Sequence, residues 1–165
     1  MKNNILILIC MMTFFTMMSQ EKKGVIKTDI SGINDYNFYQ LAYEFNIKEK
    51  NSFEVGIGFG SENGINIYGL SIQGRYYLNK ISNTTAPAGF HVGPRVLAVY
   101  AESNESTIRG VKENAFSFEI DGIIGYQFII GNIITFDPYI GGGIAIVENQ
   151  TVTGFVWGVT LGVAF

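Results

Sequence analysis

From Gly24 onward the chain alternates, with few interruptions, between one large apolar residue and one small or polar residue. A period of two is that of a β-strand, whose successive side chains point to opposite faces, and no stretch holds a helical stripe for three turns. Residues 24–31 (GVIKTDIS) set Ile26, Thr28 and Ile30 against Lys27 and Asp29. Residues 38–47 set Tyr39, Leu41, Tyr43, Phe45 and Ile47 against Gln40, Ala42 and Glu44, and 52–60 set Phe53, Val55, Ile57 and Phe59 against Glu54 and glycines. The pattern continues through 65–78, with Tyr68, Leu70, Ile72 and Tyr76 opposite Ser71, Gln73 and Arg75, and through 89–101, with Phe90, Val92, Val96 and Tyr100 opposite His91 and Arg95. In 115–129 Phe116, Phe118, Ile120, Ile124 and Phe128 oppose Ser117, Glu119, Asp121 and Gln127. In 133–147 Ile134, Phe136, Ile140 and Ile144 oppose Thr135, Asp137 and Tyr139, and 152–165 closes the chain in the same way.

The breaks between these runs are short and turn-like: KEKN (48–51), SENG (61–64), the polar loop 79–87, the longer hydrophilic stretch 102–114, IGN (130–132) and ENQT (148–151). An Asn-Gly pair between two alternating runs is a strong hairpin signal. Residues 32–37 read either as a loop or as a kinked continuation of the first strand. Eight strands joined mostly by hairpin-length connections predict an all-β fold, an antiparallel up-and-down meander able to close on itself.

Which face is inside follows from what the second face holds. In a soluble barrel the large residues would fill the interior. Here their opposite stripe is glycine interspersed with mid-strand charges: Lys27, Asp29, Glu44, Glu54, Arg75, Arg95, Glu119, Asp121 and Asp137. An eight-stranded barrel has an interior only wide enough for side chains to fill, so the Phe, Tyr, Ile, Val and Leu of this chain would overfill it. The pattern therefore reads as inside-out: an eight-stranded transmembrane β-barrel with an apolar face toward lipid and a polar lumen. Closure is then required, because lipid offers the backbone no partners. Tyr39, Phe53, Phe90, Phe116, Tyr126, Phe128, Phe155, Trp157 and Phe165 fall toward strand ends, where interfacial aromatic girdles sit. The alternative is a soluble, lipocalin-like barrel with a solvated polar stripe.

Composition agrees with this reading. Charged residues are 15 % of the 165, against about 25 % in ordinary domains, while Gly numbers 20 and Pro only 3. A net charge of −3 without a Lys/Arg cluster larger than Lys22-Lys23 excludes a nucleic-acid footprint. The opening MKNNILILICMMTFFTMMSQE has a basic start at Lys2, an apolar run from Ile5 to Met18 and a small residue at Ser19, as a secretory signal does. The run is about 14 residues, short of the ~20 that span a bilayer. We expect a signal peptide over 1–19, cleavage near Ser19/Gln20, and one barrel domain over 20–165. Cys10, the single cysteine, falls in the leader, so the mature chain carries no thiol or disulfide chemistry. Ile9 is too bulky for the residue before a lipidated cysteine.

Three cations (Lys27, Arg75, Arg95) against six carboxylates in one narrow lumen predict a salt-bridge and hydrogen-bond network that plugs the barrel, since burying any of these charges alone is costly. The alternative is a narrow channel or a carrier for small or hydrophobic compounds. His91 is the single histidine, which argues against a zinc site. Paired with Ser117 or Ser71 and oriented by Glu54 it would suit a lipid-modifying enzyme, but its strand starts beside loop 79–87, at the end of the barrel away from the long connection 102–114. The run GGG (141–143) lacks the strand-to-helix turn and lysine of a phosphate loop. We assign no catalytic residue, metal or cofactor.

The stretches LAYEFNIKEKNSFEVGIGFG (41–60), GLSIQGRYYLNK (69–80), APAGFHVGPRVLAVY (86–100) and FEIDGIIGYQFIIGNIITFDPYIGGGIA (118–145) together resemble the small outer-membrane β-barrels of Bacteroidota, similar in shape to OmpA-type eight-stranded barrels. The resemblance implies an outer-membrane location and no defined activity. The turn SENG is shorter than the loops such barrels often carry. The last strand also resembles the assembly signal of outer-membrane proteins, with Gly158, Leu161, Val163 and Phe165 at the matching positions; this implies two partners, the outer-membrane lipids and the barrel-assembly machinery. On that topology 32–37, 61–64, 102–114 and 148–151 face outward and the other connections face the periplasm.

Overall fold

The computed structural model describes residues 24–31, 38–62, 64–78, 87–103, 114–147 and 150–165. The expected leader, the segment 32–37 and most of the loops 79–87 and 102–114 lie outside the described residues. The strands are β1 (Gly24–Asp29), β2 (Phe38–Lys48), β3 (Asn51–Glu62), β4 (Ile65–Tyr77), β5 (Gly89–Ser103), β6 (Asn114–Ile130), β7 (Ile134–Val147) and β8 (Gln150–Ala164). They form a closed barrel in sequence order, every neighbouring pair antiparallel. β1 closes the barrel on β8, from Val25 opposite Ala164 to Asp29 opposite Thr160. The fold is that read from the alternation, with β1 ending two residues early, β3 and β5 running two residues further and β8 starting two residues sooner.

The tight turns have the required backbone chemistry. Gly64, in the turn just before β4, has φ +79°, and Gly131 and Asn132 between β6 and β7 both have φ +59°. Two successive left-handed residues make the hairpin turn that matches strand twist, and Gly and Asn tolerate it best.

The outer face carries the large residues. Leu41, Ile57, Leu70, Ile124, Ile140 and Trp157 are all exposed. Cross-strand register gathers aromatics that alternation left scattered. Tyr39, Phe59, Tyr68, Tyr100 and Phe116 stand opposite one another in turn, a continuous outward row across β2 to β6. At the other end Phe45 packs on Phe53, Tyr43 on Phe165, and Phe128 on Tyr126 and Phe136. Between the two belts runs an apolar line, Val55, Ile72, Val96, Ile120 and Ile144, again in direct register.

The interior is small and closed at one end. Val25 and Ala164 are fully buried with Ile129 packed on them. Pro87 and Ala88, just before β5, are buried too, and Gln127 Nε2 donates to the Pro87 carbonyl. Toward the other end the Phe38 ring lies where side chains on Gly58 and Gly69 would sit, so those glycines make room for it.

Glycines on the two faces should respond differently to substitution. A Cβ at inward Gly143 would be driven onto the Ile120 carbonyl oxygen, whereas one at outward Gly122 would meet nothing nearer than the Gly142 carbonyl at 4.0 Å. Gly143→Ala should cost about 1–3 kcal/mol and Gly122→Ala no more than about 0.5 kcal/mol in urea unfolding.

Candidate functional site: the charged lumen

Every charge expected in the lumen points inward, because each shares the parity of the small residues on its strand. Barrel closure then brings six strands together at one level. Lys27 (β1) pairs with Glu44 (β2), and its Nζ lies 3.2 Å from Glu54 (β3) and 3.6 Å from Asp137 (β7). Arg75 (β4) sets Nη2 2.7 Å from Glu54 and Nη1 2.5 Å from Asp137, with Glu44 at 3.7 Å. His91 Nε2 (β5) is 2.9 Å from the other Asp137 oxygen. Tyr77 donates to Glu44 at 2.7 Å, the Ser52 hydroxyl donates to the same carboxylate, and Arg75 donates to Gln73 Oε1 at 3.2 Å. The charged side chains are at most 7 % exposed. Charges so buried persist only where paired and hydrogen-bonded, and each carboxylate here has at least two partners.

A second group lies nearer the 102–114 end. Arg95 (β5) reaches Asp121, directly opposite on β6, through Nε at 3.0 Å and Nη2 at 2.7 Å, and Glu119 at 3.1 Å. Its guanidinium lies 5.8 Å from the Tyr139 ring centroid, within cation–π range. Glu119 is the most open member, its side chain 25 % exposed. Asp29 departs from expectation. Among the described residues it has no cation partner; it accepts from the Tyr139 hydroxyl at 2.6 Å, from the Ser31 backbone N–H at 2.8 Å and from the Ser31 hydroxyl.

His91 does not meet the serines considered for it. Its partner is Asp137, with Arg75 3.5 Å away, while the Ser71 hydroxyl accepts from Gln40 at 2.6 Å. Sequence reading missed Tyr77, Gln73, Gln127, Ser52 and Tyr139 as members of the network. Their signal was present in each case: a polar residue at the parity of the small ones. Among the described residues, no three or more His, Cys, Asp and Glu side chains are grouped to hold a metal ion. In β8, Leu161 and Val163 face outward, and Gly158 faces in, where a Cβ would strike the Tyr139 hydroxyl. The Phe165 ring stacks on Tyr43 at 5.9 Å, and its backbone exchanges hydrogen bonds with Gly24.

No protein-family model and no curated protein sequence matches this chain. In fold it is similar to the crystal structure of the N-terminal β-barrel domain of Pseudomonas aeruginosa OprF. The TM-score is 0.55 over 88 % of this chain and 98 % of that one, at 11 % sequence identity. At that identity the likeness is one of architecture: the chain is a closed, eight-stranded antiparallel barrel of the OprF kind. It spans that whole domain with different side chains.

Proposed function

We propose that the chain is an integral outer-membrane β-barrel, non-enzymatic, with a plugged polar lumen and a structural or surface-interaction role. The observation that carries this reading is the inversion of the barrel: an outward face of exposed Leu, Ile and Val bounded by aromatic belts, around an interior of buried ion pairs. In water that surface would be far beyond the apolar patch a soluble monomer exposes; in a bilayer it is the surface lipid requires. Its partners are then the outer-membrane lipids. The insertion machinery would read Gly158, Leu161, Val163 and Phe165, after export directed by residues 1–19. The kinship with Bacteroidota barrels, outlined by the stretches quoted above, belongs to the same proposal.

The plugged-lumen reading rests on Lys27 and Arg75 crossing the interior and on the apolar seal of Val25, Ala164 and Ile129. It favours a structural protein over a channel. In planar bilayers the purified barrel should give no discrete conductance steps, and Arg95→Gln should give none either, because the Lys27–Arg75 level below it stays closed. Stepwise ion conductance by the unaltered protein would overturn the plugged lumen while leaving the membrane location standing.

A further inference from the structure

Between the two ion-paired groups the lumen holds a small cavity. Glu54 and Arg75 border it on one side, Asp29 and Arg95 on the other, with Gln73 and Thr160 in the intervening wall. Its water-accessible volume is about 10 Å³, room for about one water molecule. The polar atoms around it are not all satisfied by the protein. Gln73 Oε1 accepts from Arg75 Nη2, and because a guanidinium can only donate, the amide is held with its oxygen toward Arg75. Among the described residues its Nε2 then has no partner, and neither do the Thr160 hydroxyl and Arg75 Nε. Gln73 is 5 % exposed and Thr160 6 %. Buried donors and hydroxyls in native structures are satisfied by protein or by ordered water.

We propose that this cavity is a binding site for one buried water molecule, which accepts a hydrogen bond from Gln73 Nε2 and ties the two charged groups into one network. The chemistry selects water over an ion in two steps. Gln73 Nε2 and Arg75 Nε can only donate, so they repel a metal cation. The lumen sets three Lys and Arg against six carboxylates, so its field disfavours an anion. A water molecule accepts from the amide and donates to the bordering carboxylates or the Thr160 hydroxyl, and so meets both conditions. It takes the two to four partners such waters ordinarily have. The site stands on the lumen geometry alone and does not depend on where the barrel resides in the cell.

The test is a crystal structure of the folded barrel in detergent, from native crystals and from crystals soaked in bromide and in rubidium. The expected result is one water-like density within hydrogen-bond distance of Gln73 Nε2, without an anomalous peak from either ion. A bromide or rubidium peak there, or no density at all, would overturn the proposal. Gln73→Leu, with folding checked by heat-dependent gel migration, should lose that density. Its persistence would remove Gln73 as the anchor, and if the variant does not fold, the native and soaked crystals decide the matter.

Discussion

Replacing Arg75 by methionine should lower the stability of the barrel by about 3–5 kcal/mol, the cost typical of breaking a buried charge network from one side. Methionine keeps part of the side-chain volume but leaves Glu54, Asp137 and Glu44 with Lys27 as their one remaining fixed cation. Three carboxylates cannot all be matched by one ammonium. Arg75→Lys should fall between the two, because it restores the charge but not the fork that reaches Glu54 and Asp137 through separate nitrogens. Adding Glu54→Gln to Arg75→Met should recover part of the loss, since the two residues are in contact and their effects are not additive. The measurement is urea unfolding in lipid vesicles, followed by heat-dependent gel migration. An unchanged midpoint for Arg75→Met would show that the ion pairs contribute little to holding the barrel.

Leu70→Arg should be the most damaging change on the outer face. Leu70 is 54 % exposed, near the middle of β4, flanked by Ile57 and Ala98 on the neighbouring strands. In a bilayer an arginine at mid-depth of a barrel costs about 2–4 kcal/mol, falling to about 0–1 kcal/mol near the interface. On a water-exposed surface the same substitution stays within about 0.5 kcal/mol. Tyr76→Arg, on the same outward face but next to the end of the same strand, is the matched control. A large effect at Leu70 with a small one at Tyr76 is the signature of a membrane-spanning face, and two equally small effects would be that of a soluble barrel.

Alternation alone was enough to read eight strands and to sort their faces, because a period of two has only two phases and the mid-strand charges mark one of them. All nine lumen charges were legible for that reason. Their partners were legible only where strands are adjacent, as with Arg95 and Asp121, which stand directly opposite each other on β5 and β6. Contacts across the interior, such as Arg75 with Asp137 or Lys27 with Glu54, depend on the stagger with which β1 meets β8, and no local pattern encodes that stagger. The aromatic row from Tyr39 to Phe116 was hidden for a different reason: its members stand on adjacent strands, but four hairpin registers must be fixed together before they line up. Phe59, Tyr68 and Tyr100 look unremarkable along the chain and align only once five strands are in register. The partners of Asp29 escaped because, among the described residues, they are a hydroxyl from β7 and the chain two residues on, not a charge.

The central claim, a barrel built for lipid on the outside and ion pairs on the inside, is tested most directly by where the folded protein resides. Cells expressing the full chain would be fractionated, the membranes extracted with alkaline carbonate, and the fractions run on gels with and without heating. An outer-membrane barrel is predicted to stay in the outer-membrane pellet and to migrate differently when unheated. Recovery in the soluble periplasmic fraction, with no heat-dependent shift, would contradict it.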